Sequence, residues 1–183
     1  MTEKRVGIIG GGVVGTALGY YLSEYDDVRV TVFEKNSVGS GTTAKGAGTV
    51  CLLDDSLSHE FWPMRLLGFE TYVAMEEEEK GSAGFEKTGT LVVAPDEEFE
   101  AFVHGAIEQA REEGYQADYY EDHDKIREIV PDLSLEGILG AAYTPDDGFF
   151  DGTMISNTYA RKARANGAQV LINTEVNEIH TTG

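Results

Sequence analysis

Apolar residues in this chain come in short blocks whose spacing alternates between that of strands and that of helices. The runs over 6–9 and 28–33 are short and apolar, and the segment over 14–23 between them has the character of a helix. Short apolar runs separated by a helical segment are typical of parallel strands joined by a crossover helix. The first 34 residues therefore predict a strand–helix–strand unit of an α/β domain.

The rest of the chain carries the same two signals. The helical spacing is clearest over 96–113, where Gly114 follows as a terminating residue. We predict further helices over 59–80, 122–130 and 153–166, and further strands over 90–94, 138–143, 170–172 and 176–180. The order of these elements predicts an α/β domain interrupted by an antiparallel sheet with helices.

A glycine-rich stretch lies where the first predicted strand meets the first helix. Gly10, Gly12 and Gly15 satisfy the pattern G-x-G-x-x-G, and Glu34 ends the next strand. Gly10 permits a tight turn, Gly12 lets a pyrophosphate approach the backbone, and Gly15 lets the helix pack against the strand. The free N–H groups of the helix N-terminus favour phosphate. This arrangement predicts a dinucleotide site in which Glu34 binds a ribose hydroxyl.

The loop after Glu34 distinguishes between cofactors. Its sequence is Gly39-Ser40-Gly41-Thr42-Thr43-Ala44-Lys45-Gly46-Ala47-Gly48-Thr49. Small and hydroxyl-bearing residues here can wrap a second length of cofactor, whereas an NAD domain usually continues into another βα unit. With the start of the chain, this loop resembles the FAD-dependent amine and amino-acid oxidoreductases, the family of D-amino acid oxidase, glycine oxidase and sarcosine oxidase. Segments 88–93, 130–133, 142–148 and 167–176 resemble later parts of that family.

The resemblance implies an α/β fold, with a Rossmann-like FAD-binding domain and an inserted antiparallel α+β substrate domain, both incomplete in this chain. We expect residues 1–83 and 146–183 to form part of the FAD-binding domain and residues 84–145 part of the substrate-binding domain. Family members are longer, so the chain resembles the N-terminal portion of an enzyme and is expected to be inactive alone.

The resemblance also implies site residues. The pyrophosphate is assigned to Gly10, Gly12, Val13, Val14 and Gly15, the ribose to Glu34 with Lys35 beside it, the flavin side to Thr42, Thr43, Ala47, Gly48 and Thr49, and adenine to Val176. Lys45 stands where some relatives tether FAD through a histidine, so FAD is expected to bind non-covalently. The implied reaction is hydride transfer to flavin from the carbon bearing an amine, and no catalytic residue is assigned.

Other interpretations of these residues remain open. The same opening motif occurs in flavoenzymes that oxidise a hydroxy acid or glycerol phosphate, and in non-catalytic FAD-binding subunits. The threonine pair could belong to a simple polar loop, and Lys45 could be a solvated surface lysine. Asp146-Asp147-Gly148 reads as a turn, because the alternating acids of a calcium loop are absent.

Charge and composition limit the kinds of molecule that the protein is expected to bind. Fourteen basic and 33 acidic residues give a net charge of −19, which argues against nucleic acid as a partner. Dispersed acid at this density is typical of proteins from salt-loving microbes, and an ordinary acidic protein is the alternative. A small-molecule amine or amino-acid substrate remains the expected partner, together with self-association as a homo-oligomer or through an open sheet edge.

Composition also bears on the cellular location of the protein and on whether it binds a metal ion. No apolar run approaches the roughly 20 residues of a membrane helix, and the start of the chain lacks a secretory pattern. A single cysteine, Cys51, fits a reducing compartment, so we predict a cytoplasmic protein. The four histidines have no ligand spacing, so no metal site is expected; they are His59, His104, His123 and His180.

Overall fold

A computed structural model of the chain describes residues 3–53 and 61–181. In chain order the elements are β1 (Lys4–Ile9), α1 (Val13–Ser23), β2 (Val28–Phe33), a 3₁₀ turn (Thr43–Lys45), β3 (Thr49–Val50), α2 (Trp62–Glu78), β4 (Glu86–Lys87), β5 (Thr90–Ala94), α3 (Glu97–Glu112), β6 (Asp118–Tyr120), α4 (His123–Ile129), β7 (Gly140–Thr144), β8 (Gly148–Phe149), α5 (Gly152–Ala165) and β9 (Gln169–Leu171). The chain divides into two compact units. The first contains Met1–Gly48, Tyr72–Phe85 and Phe150–Gly183, and the second contains Thr49–Thr71 and Glu86–Phe149.

The first unit is built on a parallel sheet with strand order β1-β2-β9. Alternate residues of β2 face the helices, so Val30 and Val32 are buried. They pack with Val170 of β9 and with Ala160 and Ala163 of α5. The predicted strand–helix–strand start is confirmed, with the dinucleotide motif at the carboxyl ends of the strands, where ligands bind in such sheets.

The second unit holds two antiparallel sheets, β5-β7-β6 and β3-β8-β4. Helix α3 packs into its core through Val103, Ala106, Ile107 and Ala110, as the predicted helical pattern requires. The Asp96 side chain caps this helix by accepting the N–H of Phe99 at 2.8 Å. The α/β fold class is thus confirmed, and the antiparallel segment follows the predicted order.

Three predictions about elements need correction. No strand forms over 176–180, because none of the described strands pairs with that segment. The strand predicted over 170–172 lies at Gln169–Leu171, one residue earlier, so Ile172 follows it. A buried strand was expected there, but only Val170 is buried, because strand alternation turns Leu171 to the other face. The segment 49–71 belongs to the second compact unit, although we had placed it with residues 1–83, because Leu52, Leu53 and Trp62 join the core of that unit.

Two further observations limit the classes of protein. No helix among residues 3–53 and 61–181 has the length and apolar character needed to cross a membrane. The same residues bring together no group of three His, Cys, Asp or Glu side chains that could hold a metal ion. His59, one of the four histidines, lies outside the described residues.

Candidate dinucleotide-binding site

The glycine-rich loop turns sharply between β1 and α1. Gly10 has a φ of +105°, a conformation that side chains with a Cβ rarely adopt, and its N–H donates to the Phe33 carbonyl oxygen at 2.8 Å. A Cβ on Gly15 would lie 2.0 Å from the Gly10 carbonyl oxygen. The motif therefore holds the start of α1 against the end of β1, which is the close approach that the sequence predicted for Gly15.

The N-terminus of α1 is open to an anion. Gly12 occupies the N-cap position without a side-chain cap, and the first turn carries no acidic residue. The first N–H groups of a helix have no partner within the helix and carry a partial positive charge. The first turn of α1 therefore offers N–H donors to a phosphate and carries no carboxylate of its own.

Glu34 directly follows β2 and its carboxylate is held at both oxygens. Oε2 accepts the N–H of Gly11 at 2.7 Å, and Oε1 accepts the N–H of Asn36 at 2.7 Å. The backbone of Glu34 is fixed as well, since its N–H donates to the Leu171 carbonyl oxygen and its own carbonyl oxygen accepts from Thr174. The acid predicted to bind ribose thus lies against the glycine loop, in a fixed orientation.

Thr43 lies closer to the start of α1 than its assignment to the flavin side implied. Its Oγ1 accepts the N–H of Val13 at 3.2 Å, and a Cβ on Gly12 would lie 2.9 Å from the same oxygen. A Cβ on Gly152 would lie 2.9 Å from the Thr43 methyl carbon. Two glycines at helix starts thus make room for this one threonine, which joins the loop 39–49 to the predicted phosphate site.

The far end of the loop is fixed by backbone contacts. Gly48 has a φ of +71°, and a Cβ there would lie 2.0 Å from the Phe150 carbonyl oxygen. The Phe150 N–H donates to the Gly48 carbonyl oxygen at 2.9 Å. Only glycine can hold this crossing, so packing alone is sufficient to require a glycine at position 48.

The structure brings together part of the predicted set. Around the glycine loop it places Gly10, Gly12, Val13, Gly15, Glu34 and Thr43. Val14 lies in the first turn of α1 with its side chain exposed, and the side chains of Lys35, Thr42, Lys45, Ala47 and Thr49 are exposed too. Val176 is half-buried and lies outside any strand.

Asp147 is a residue whose burial the sequence did not reveal. The signature Asp146-Asp147-Gly148 predicted a turn, and within it the Asp147 side chain is completely buried. Its Oδ2 accepts the Leu52 N–H at 3.1 Å and the hydroxyl of Thr144. Burial raises the pKa of the Asp147 carboxyl above its ordinary value. The only signal in the sequence is the doubled acid before a glycine, which also occurs in exposed turns.

Comparison with known proteins agrees with this geometry. The sequence profile of the family described as FAD dependent oxidoreductase (DAO) matches residues 5–183. Glycine oxidase from Geobacillus kaustophilus is 29% identical over 99% of this chain and 49% of its own length. Monomeric sarcosine oxidase from Bacillus sp. strain B-0618 is 27% identical over 97% of this chain and 45% of its own length.

A solved structure gives the same result for the fold. The crystal structure of the Geobacillus kaustophilus glycine oxidase matches 94% of this chain with a TM-score of 0.74 and 28% identity, and 48% of that structure is covered. The chain therefore spans about half the length of these two oxidases. Its elements follow those of an oxidase fold over almost all of its own length.

Proposed function

This chain belongs to the family of FAD-dependent oxidoreductases, and from that premise we propose that the protein oxidises the C–N bond of an amino acid or small amine. The observation that carries the proposal is the family match over 5–183, joined to a glycine loop whose helix N-terminus is open and whose acid, Glu34, is held in place. Glycine oxidase and sarcosine oxidase among the relatives support an amine or amino acid as substrate over a hydroxy acid.

In this proposal the first unit binds FAD, a cofactor that accepts a hydride from the substrate carbon. The N–H groups at the start of α1 bind the pyrophosphate, with Gly12 leaving space for it. The Thr43 hydroxyl, which accepts the Val13 N–H, still has its own proton to donate to a phosphate oxygen. The second unit, with its antiparallel sheets, contributes to substrate binding.

Glu34 remains able to bind ribose despite its two backbone partners. A carboxylate offers about four acceptor positions, and Gly11 and Asn36 use one on each oxygen. The remaining positions can accept hydrogen bonds from the two ribose hydroxyls. The backbone bonds then serve to orient the carboxylate before the nucleotide arrives, which lowers the entropic cost of binding.

We propose that FAD is held without a covalent bond. Lys45, at the position where a tethering histidine is found in some relatives, is exposed and cannot form that link. Acid precipitation of the FAD-loaded protein should leave the yellow cofactor in the supernatant. Flavin in the pellet would contradict non-covalent binding, and NAD in its place would contradict the cofactor assignment.

The nucleotide site can be tested without measuring turnover. Gly12→Val should abolish FAD binding, because a Cβ at this position already lies 2.9 Å from Thr43 Oγ1 and its branches would fill the space for phosphate. Gly105→Val is the control, since a Cβ at Gly105 meets no atom within 4 Å and Gly105 lies in α3, outside the cofactor loop. Titration followed by flavin fluorescence should give unchanged affinity for Gly105→Val. Equal affinity in both variants would place the nucleotide elsewhere.

A substrate panel tests the reaction class. Glycine, sarcosine, D-amino acids, a 2-hydroxy acid and glycerol phosphate should be offered, with an artificial electron acceptor, to a longer protein that contains this chain, because the chain is expected to be inactive alone. Turnover confined to the amines supports the proposal, and turnover of the hydroxy acid or the phosphate overturns it. A protein that binds FAD and oxidises none of them would be a non-catalytic FAD-binding subunit.

The setting of the protein is part of the proposal. A cytoplasmic location is supported by the single cysteine, and adaptation to high salt by the net charge of −19. Strands β5 and β6 lie at the edges of their sheet, which supports self-association through strand pairing. Light scattering at several protein concentrations would test that association.

A further inference from the structure

Asp147 lies at the turn between β7 and β8 and is the buried acid that the nucleotide site leaves unexplained. Its side chain has no exposed surface. Oδ2 accepts two hydrogen bonds, from the Leu52 N–H at 3.1 Å and from the Thr144 hydroxyl. Within residues 3–53 and 61–181, Oδ1 has no partner within hydrogen-bond distance, although the nearby Thr90 hydroxyl acts on the carboxyl. A buried ionised oxygen without a donor is expensive, because nothing replaces the water that it loses.

The Leu52 peptide is held from both sides. Asp147 accepts its N–H, and Arg65 donates from Nη1 to its carbonyl oxygen at 3.2 Å. Leu52 itself is completely buried in the core of the second unit. This peptide follows β3 closely in the chain, and β3 carries Thr49, a residue that we propose lies on the flavin side. The position of Asp147 therefore fixes the backbone at Leu52, directly after β3.

The hydrogen bonds determine which protonation state fits. With Oδ2 acting as acceptor for two donors, a proton on Oδ1 removes the negative charge and breaks neither bond. Among the described residues, the charged and titratable groups around this turn include Asp146 with its partner Lys87, Tyr115, on which Asp146 acts, Arg65 at the Leu52 carbonyl, and Cys51. Burial is the main cause that raises the pKa of the Asp147 carboxyl, and the like charge of Asp146 raises it further, whereas the hydrogen bonds from Thr144, Leu52 and Thr90 lower it.

We propose that Asp147 is a positioning residue which, in its protonated and uncharged form, holds the Leu52 peptide and through it the strand that carries Thr49. The part concerning the flavin rests on the proposed function. The part concerning Leu52 stands independently, because it needs only the contacts within the second unit.

The test compares two substitutions at one site with a control beside it. Asp147→Asn keeps an acceptor oxygen and is uncharged, so it imitates the protonated acid. Asp147→Leu has a similar shape but no acceptor. In the 183-residue chain, amide hydrogen exchange at Leu52 should stay within about threefold of wild type in Asp147→Asn and rise about tenfold or more in Asp147→Leu. Asp146→Asn should leave exchange at Leu52 unchanged.

The charge state is tested by pH, which also serves if Asp147→Leu fails to fold. A carboxyl whose pKa is higher in the folded than in the unfolded protein contributes stability below the unfolded value, about 3.9, and loses it as pH rises. Wild type should therefore lose stability relative to Asp147→Asn from about pH 4 upward. A constant difference would mean that folding does not raise the pKa of Asp147, and a gain in the stability of wild type with rising pH would mean that folding lowers it; either result, or faster Leu52 exchange in Asp147→Asn, would overturn the proposal.

The flavin spectrum separates this inference from the function on which it rests. In FAD-loaded protein, the visible absorption maxima should shift in Asp147→Leu and stay in place in Asp147→Asn. Unshifted maxima in Asp147→Leu, together with faster Leu52 exchange, would overturn the link from Leu52 to the flavin side. Failure of wild type to bind FAD would count against the proposed function, and Leu52 exchange would still decide the role of Asp147.

Discussion

At the scale of single residues, Gly15 and Gly105 are both helical glycines, yet they stand in opposite surroundings. A Cβ on Gly15 would lie 2.0 Å from the Gly10 carbonyl oxygen, whereas a Cβ on Gly105 meets nothing within 4 Å. We expect Gly15→Ala to destabilise the protein by about 3 kcal/mol or more, because backbone has to move to remove the overlap. Unfolding in urea measures the loss.

Gly105→Ala is the control for this substitution. It lies within α3 and should raise the free energy of unfolding by up to about 1 kcal/mol, because alanine loses less conformational entropy than glycine in a helix. Equal effects of both substitutions would contradict the close approach at Gly15.

Glu76 offers a second prediction at this scale. Its carboxylate accepts the N–H groups of Gly81, Ala83 and Gly84 at 2.6 to 2.9 Å, and these bonds lower its pKa, the bond from Gly81 most. A lowered pKa contributes stability that is present above the unfolded value and is lost as pH falls. Glu76→Gln should cost about 0.5–1 kcal/mol at neutral pH, a figure kept small because solvent screens the group.

The Glu76 prediction is measured by urea unfolding at several pH values. The difference between Glu76→Gln and wild type should shrink as the pH falls toward 3, since wild type then protonates Glu76 as well. Glu77→Gln is the control, because Glu77 is the exposed neighbour on the same helix. A difference that does not change with pH would rule out a contribution from the charge of Glu76.

At the scale of elements, the start of α5 depends on one side chain. Asp151 Oδ1 accepts the N–H groups of Thr153 at 2.7 Å and Met154 at 3.0 Å. Asp151→Ala should destabilise the protein by about 1 kcal/mol, whereas Asp151→Asn, which retains a cap, should stay within a few tenths. Thermal unfolding of the two variants makes the comparison, and an equal loss in both would show that the cap oxygen is not the cause.

Helices and strands could be predicted where the residues of the element itself are sufficient to form it. Helix α3 has a capping Asp96, apolar residues at helical spacing and Gly114 at φ +89° just beyond its end, so local physics is sufficient. Strand pairing over 176–180 was not predictable, because a strand forms only where a partner lies beside it. The short strands β3, β4 and β8 depend on one another in the same way and carried no pattern of their own.

The candidate site also has features that a local motif predicts and features that depend on residues far apart in the chain. The turn at Gly10, the packing of Gly15 and the place of Glu34 at the end of β2 follow from a local motif. The contact of Thr43 with the start of α1 and the burial of Asp147 depend on residues far apart in the chain, and no local pattern encodes them.

At the scale of the whole molecule, the net charge of −19 predicts a response to salt. Repulsion among the acids should weaken as the Debye length falls from about 10 Å at 0.1 M to about 3 Å at 1 M. The thermal midpoint should therefore rise between low salt and molar KCl at neutral pH. Near the pI of about 4.4 the net charge vanishes, so the same salt should have a smaller effect. A midpoint that does not rise at neutral pH would argue for an ordinary acidic protein.

The strand order β1-β2-β9 has a consequence for the newly made chain. Strand β2 lies between its two neighbours, but β9 is synthesised roughly 130 residues after β2. At about 5–20 residues per second, the ribosome needs on the order of ten seconds to supply that partner. During this interval Val30 and Val32 lack their final packing, while the described strands of the second unit are all made by Phe149. Among the described sheets, the one with the glycine loop is thus completed last during translation, although it contains the first strand.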